Sequence, residues 1–151
     1  MPLLLLLLIV FGSSPAGTFE NDCECLQYVA AEYEVLGYAY QWGDWDCSKF
    51  VEQILTDCGI QVERCRSIDY AHGRCGFRSV IVPVDLRDSC DFAFWTWPDS
   101  DRTFGHTGMF EHAQNVYHNS GKAGRVVKAP VRPGGYLLRA LKRVRRLSPG
   151  E

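Results

Sequence analysis

The chain has 151 residues, a formal net charge of −2 and 46% hydrophobic residues. This length fits one domain with a hydrophobic core, and the nearly neutral charge does not indicate a nucleic-acid-binding protein. Basic residues concentrate near the C-terminus, at Arg139, Lys142, Arg143, Arg145 and Arg146. Such a cluster is either a surface that attracts anionic cell envelopes or the solvated end of a strand.

The N-terminus begins with an apolar run at residues 3–11, and small residues follow it up to Ala16. This run is too short to span a bilayer, which takes about 20 residues. Together with the small residues that follow it and form a candidate cleavage site, the run is typical of a secretory signal peptide. We therefore expect a signal peptide at 1–16 and one secreted domain at 17–151, without stable insertion into a membrane.

Two amphipathic helices are predicted in the first half of the chain. Asn21 or Asp22 can cap a helix at about 23–36, and Gly37 ends it. A short aromatic loop then leads to a second helix at about 47–58. The buried face of this second helix is predicted to contain Phe50, Val51, Ile54 and Leu55.

Cys47 is the candidate nucleophile, because Asp46 is a good N-cap residue and makes Cys47 the first residue of the second helix. A thiol at a helix N-terminus is expected to favour the reactive thiolate. The chain has seven cysteines, and in a secreted protein cysteines pair, so that an odd number leaves one free. Cys47 is the expected free thiol, because a bridged cysteine cannot be a nucleophile. Several pairings of the other six remain open, although Cys23 and Cys25 are too close to be expected partners.

Residues 60–79 are predicted to be an irregular connection held by disulfides. His72 and Cys75 could in principle join a metal site. Their spacing, however, lacks the paired C-x2-C or H-x3-H units of zinc sites. We therefore expect neither a metal nor a cofactor.

Strands are predicted in the second half of the chain. Apolar and β-branched runs predict strands at 80–82 and 92–97, a hairpin of 105–110 with 115–118, and a last strand at 136–144. Helices followed by strands indicate an α+β fold rather than alternating βαβ units. The helices are expected to pack on an antiparallel sheet.

Four histidines can supply the base that a cysteine nucleophile needs, namely His72, His106, His112 and His118. A three-residue hairpin loop at 111–113 would place His106 directly opposite His118 on one sheet face. One ring could then accept the Cys47 proton while the other fixes its tautomer. His112 would lie exposed at the turn. A two-residue loop would break this register, and a solvated strand face is the alternative interpretation of these histidines.

The order of these motifs resembles that of one family, the NlpC-type papain-like cell-wall peptidases. The matching segments are Tyr40-x-Trp42-Gly43, Asp46-Cys47-Ser48-x-Phe50-Val51, Gly105-His106-x-Gly108 and His118. The resemblance covers roughly residues 26–145 and implies a papain-like fold. Two departures are the short loop between Trp42 and Cys47, and Lys49, which stands where the family usually has glycine.

The resemblance implies that Cys47 is the nucleophile, His106 the base and His118 the residue that orients the base. The residues expected to contact the substrate are Tyr40, Trp42, Asp46 and Ser48. The implied activity is hydrolysis of peptide or amide bonds in bacterial peptidoglycan by a monomeric enzyme.

There is also a narrower resemblance. As a compact, single-domain, secreted form, the chain is similar to type VI amidase effectors and their domesticated secreted relatives in arthropods. This likeness implies an antibacterial role. The alternatives are a non-catalytic module that binds cell-wall fragments and a thiol acyltransferase of the same fold.

Overall fold

The computed structural model describes residues 20–96 and 103–149. The predicted signal peptide at 1–16 and the last residue of the predicted strand at 92–97 lie outside the described residues. Within the described ranges, no helix is both long and apolar enough to cross a bilayer.

The predicted helices are present close to their predicted bounds. Helix α1 is Asp22–Leu36 and helix α2 is Cys47–Asp57. Asn21 caps α1 by accepting a hydrogen bond from the backbone N–H of Glu24 at 3.0 Å. Gly37 ends α1 with a φ of 63°, which favours glycine. A short helix α3, Ser67–Ala71, interrupts the connection that follows α2.

The second half of the chain forms a six-stranded antiparallel sheet with the order β1-β6-β2-β3-β4-β5. The strands are β1 Ser79–Val82, β2 Phe92–Trp95, β3 His106–His112, β4 Asn115–Ser120, β5 Arg125–Pro130 and β6 Leu141–Leu147. The predicted α+β class, with helices before an antiparallel sheet, is therefore confirmed. Strand β5 was not among the predicted elements.

The predicted last strand at 136–144 is wrong in its first half, where Tyr136–Ala140 forms a short helix, α4. Leu137, Leu138, Arg139 and Ala140 are all good helix formers. The chain becomes extended only at Leu141, where it begins to pair with β2. Tertiary pairing, rather than local propensity, therefore sets the start of β6.

Both faces of the sheet are covered. On one face Phe92, Phe94 and Met109 pack in the same hydrophobic cluster as Leu26 of α1 and Ile54 of α2. On the other face a second cluster contains Trp95, Phe110, Val116, Val144 and Ala140. The alternation of Phe92, Ala93, Phe94 and Trp95 along β2 explains how one strand contributes to both clusters.

Three disulfides reinforce the fold. Cys23–Cys90 joins α1 to the turn before β2, Cys25–Cys58 joins α1 to the end of α2, and Cys65–Cys75 closes the connection around α3. Cys47 is the one free cysteine among the described residues and is buried, as predicted for the thiol left out of pairing.

The C-terminal basic cluster is divided by the alternation of β6. Arg143 donates to the carbonyl of Ala71, and the half-exposed Arg146 forms an ion pair with the buried Asp91 at 2.7 Å. Arg145 is buried and donates to the hydroxyl of Ser79 at 2.8 Å. These three arginines therefore stabilise the fold and do not form one basic surface.

Candidate active site

An open cleft with a volume of about 940 Å³ lies at the N-terminal end of α2. Four segments of the described ranges line it, namely 42–43, 46–48, 64–68 and 103–105. It thus contains the predicted nucleophile Cys47 and the turn that leads directly into His106. Three of the four predicted substrate-contacting residues, Trp42, Asp46 and Ser48, also line it.

Asp46 organises the first turn of α2. Its Oδ1 atom accepts the backbone N–H groups of Ser48 and Lys49, each at 3.0 Å, and the Ser48 hydroxyl at 2.7 Å. Arg64 joins this network with Nη2 3.2 Å from Asp46 Oδ1 and Nη1 2.6 Å from Ser48 Oγ. Burial alone would raise the pKa of Asp46, but the donors from Ser48, Lys49 and Arg64 together hold it below its usual value. Asp46 therefore stays a carboxylate.

Cys47 is the first residue of α2, as predicted, and its side chain is only 5% exposed. Burial raises the pKa of its thiol to about 12, although backbone hydrogen bonds with Thr107 and Ser48 act in the opposite direction. The prediction that the helix N-terminus favours the thiolate is therefore wrong for the protein without a substrate. Thr107, whose backbone acts on the thiol, directly follows His106 in β3.

His106 and His118 contact each other directly. His106 Nε2 lies 2.7 Å from His118 Nδ1, and the two rings are nearly perpendicular at 85°. Both side chains are buried, and the indole of Trp95 packs within 5.3 Å of one ring and 6.1 Å of the other, measured between ring centroids. Burial, together with the neighbouring His118, holds the pKa of His106 well below its usual value, and burial lowers that of His118 to about 4. Both rings are therefore neutral near pH 7.

The predicted register of this hairpin is wrong by two residues. Met109 pairs with Tyr117 and Phe110 with Val116, and an irregularity before His112 leaves a two-residue loop. A shift by an even number of residues keeps every side chain on its face, so His106 reaches His118 diagonally rather than directly across. Gly108 makes this approach feasible, because a Cβ atom there would lie 2.9 Å from the Cβ of His118.

The aromatic residues before α2 divide between the cleft and a separate aromatic cluster. Tyr40 is half-buried, and burial raises the pKa of its phenol to about 12, with smaller contributions in the same direction from the neighbouring Cys47 and from the Asp46 carboxylate. Trp42 lines the cleft and is 71% exposed. Trp45, in contrast, packs against the rings of Tyr33 and Tyr38, each at a centroid distance of 5.4 Å.

The other two histidines lie apart from this pair. His112 is exposed beside the hairpin loop, where its Nδ1 accepts the backbone N–H of Gln114 at 3.2 Å. His72 packs against Phe104. Cys75 is bonded to Cys65, so the alternative metal site at His72 and Cys75 lacks its thiolate. No group of three or more possible metal ligands occurs among the described residues.

Sequence reasoning missed Asn119 as a part of this site. Its side-chain Nδ2 donates to the carbonyl of Trp45 at 2.9 Å. This bond ties the residue after His118 to the loop just before Asp46 and Cys47. The sequence carries no signal for it, since the two residues meet only through the tertiary fold.

No family model and no curated protein matches the chain, whereas solved structures do. An NlpC/P60 family protein from Bacillus cereus superposes with a TM-score of 0.66 at 22% identity, over 84% of this chain and 40% of that protein. A Staphylococcus aureus protein, similar to a lipoprotein of the NLP/P60 family, gives a TM-score of 0.70 at 16% identity over 87% and 43% of the two chains. The chain thus spans less than half the length of these two proteins.

A third structural match is to a protein of more comparable length. The peptidoglycan hydrolase RipB from Mycobacterium tuberculosis superposes with a TM-score of 0.60 at 18% identity, over 92% of this chain and 73% of that one. Identities at this level indicate a common fold. The chain therefore has the papain-like fold of the NlpC/P60 proteins.

Proposed function

We propose that this protein is a cysteine amidase or endopeptidase that hydrolyses the stem peptides of bacterial peptidoglycan. The observation that carries the proposal is the direct contact of His106 and His118 behind a cleft whose wall contains the free thiol of Cys47. The fold supports it, since RipB, one of the structures with this fold, is a peptidoglycan hydrolase.

In the proposed mechanism, His106 is the base and His118 orients it. If His106 carries its proton on Nε2 and donates it to His118 Nδ1, its Nδ1 carries the ring's lone pair and is the atom that can accept a proton. His106 Nδ1 removes the thiol proton of Cys47 while the sulfur attacks the carbonyl carbon of the substrate. Because both histidines are neutral near pH 7, the base is in its active form before the substrate arrives.

The later steps return every group to its starting state. The oxyanion formed by the attack is stabilised by the backbone N–H of Cys47 at the start of α2, with the Tyr40 hydroxyl as a second donor. The tetrahedral intermediate collapses as His106 protonates the leaving amine, which leaves a thioester on Cys47. Water, deprotonated by His106, then attacks the thioester; the carboxylic acid is released as the Cys47 sulfur leaves, and His106 returns the proton to that sulfur.

We also propose that the protein is secreted, monomeric and antibacterial. Three disulfides are consistent with an oxidising compartment. The apolar run at 3–11 supports export. If the enzyme is secreted by the cell that produces it and hydrolyses peptidoglycan, its targets are the cell walls of bacteria.

The test is to incubate the purified protein, and its Cys47→Ala variant, with peptidoglycan and to analyse the soluble fragments by mass spectrometry. We expect fragments with new free amines from the wild type and none from Cys47→Ala, with both proteins equally folded by circular dichroism. Retention of fragments without cleavage would instead indicate a binding module. Acyl adducts on added amines would indicate a transferase.

A further inference from the structure

In the part of the chain that the structure describes, three charged side chains line the cleft, and they differ in how far their charge is neutralised. Asp46 and Arg64 neutralise each other, and Arg64 Nε also lies 3.5 Å from Glu52. Arg66 is different, because its side chain is 83% exposed and its Nε bonds only to Asp69, at 3.3 Å. Among the described residues, the two terminal nitrogens of Arg66 have no hydrogen-bond partner, so they are available to a ligand in the cleft.

The wall around Arg66 has an excess of positive charge. Asp69 also pairs with Arg74, whose Nη1 lies 3.5 Å from its other oxygen, so one carboxylate faces two guanidinium groups. Arg74 does not line the cleft, whereas Arg66 does. Within the described ranges, Arg66 is therefore the cleft-lining cation whose charge is incompletely neutralised.

The backbone of Arg66 is held in place. Arg66 directly precedes α3, and its carbonyl accepts the backbone N–H groups of Asp69 and Tyr70 at 3.0 and 3.3 Å. On its other side, Cys65 is bonded to Cys75. An anchored arginine with a free planar fork is suited to bind a carboxylate through two parallel hydrogen bonds.

We propose that Arg66 is a specificity-determining residue that binds a carboxylate of the substrate peptide. This inference rests on the proposed function, because stem peptides carry carboxylates. The same peptides also exist with those groups converted to carboxamides, which have a similar shape but no charge. Arg66 then makes the protein select the free-acid form of the stem peptide over the amidated form.

The test compares a stem tetrapeptide with free carboxylates and the same tetrapeptide with its carboxylates amidated. We expect the wild type to favour the free acid in kcat/KM by roughly tenfold, the order expected of one charged hydrogen-bonded contact. Arg66→Gln should raise KM for the free acid, with a smaller effect on kcat, and should bring the two substrates to comparable kcat/KM. Arg66→Lys, which keeps the charge but loses the fork, should keep part of the preference.

Arg74→Gln is the matched control, because Arg74 shares Asp69 with Arg66 but lies outside the cleft. It should still prefer the free acid, because Arg66 and its two terminal nitrogens remain in the cleft. Equal rates of the wild type on both peptides, or a preference that survives in Arg66→Gln, would overturn the inference while leaving the proposed hydrolysis intact.

Binding measurements separate the two ideas if no hydrolysis is seen. Calorimetric titration of the Cys47→Ala protein with both tetrapeptides reports the same preference without turnover. A roughly tenfold tighter binding of the free acid that is lost in Cys47→Ala/Arg66→Gln would support the role of Arg66 even if the proposed function fails. Equal binding of both peptides would contradict it.

Discussion

Acidification should destabilise this protein through His118 in particular. Burial lowers the pKa of His118 from 6.5 to about 4, so the folded state resists a proton that the unfolded chain accepts. The contribution of His118 to folding is therefore complete above pH 6.5 and is lost progressively as the pH falls from 6.5 towards 4. With about 1.4 kcal/mol for each pH unit between the two pKa values, the loss approaches about 3 kcal/mol, of which about 2.5 kcal/mol is reached at pH 4.5.

The assay is urea unfolding at pH 7 and at pH 4.5 for the wild type, His118→Gln and His112→Gln. Carboxylates such as Asp46, whose pKa is held low in the folded state, also lose stability on acidification, so the quantity of interest is the difference between variants. His118→Gln should lose about 2.5 kcal/mol less than the wild type between the two pH values. The exposed His112→Gln should lose as much as the wild type. An identical loss of stability in His118→Gln and the wild type would refute the claim that His118 is buried in its neutral form.

Two further predictions concern the catalytic groups. Iodoacetamide should alkylate Cys47 at pH 7 more slowly than it alkylates free cysteine, because the thiol is buried and its pKa is raised; faster alkylation would indicate a preformed thiolate. His106→Ala should lose nearly all hydrolysis of peptidoglycan, whereas His118→Ala should lose less and His118→Gln should recover part of that loss, as an amide can still bond an imidazole. His112→Ala should stay close to the wild-type rate, and a damaging His112→Ala beside a silent His118→Ala would contradict the assignment of the pair.

Local signals in the sequence predicted the helices well. Asn21 and Asp46 cap α1 and α2 through side-chain bonds to nearby backbone groups, which depend only on neighbours in the chain. The free cysteine followed from an odd count. The pairing of the other cysteines did not, because α1 meets both the end of α2 and the turn before β2 only in the folded protein.

Features of the sheet that depend on pairing between distant parts of the chain were missed or misplaced in the sequence-based prediction. Strand β5 is an edge strand that pairs only with β4 and ends at Pro130, so its sequence has little of the continuous apolar character of a central strand. The hairpin loop contains Ala113 and Gln114, which favour no particular turn type, and its length could not be read from the sequence. The predicted contact between His106 and His118 is nevertheless present, because the register shift of two residues is an even number and keeps both side chains on the same face of the sheet.

The position of Cys47 at a helix N-terminus predicted a thiolate, and this prediction was wrong. The sizes of the two competing effects on the thiol pKa explain why. A favourable position at a helix N-terminus is worth about 0.3–1 kcal/mol. A thiol pKa of about 12 instead of 9.0 corresponds to about 4 kcal/mol against the thiolate, so burial outweighs the helix. Since His106 and His118 are also neutral, the resting catalytic groups form no thiolate–imidazolium ion pair that would have to be stabilised away from water. We infer that charge develops on Cys47 and His106 only as the substrate carbonyl is attacked, when the backbone N–H groups at the start of α2 can bind the new oxyanion.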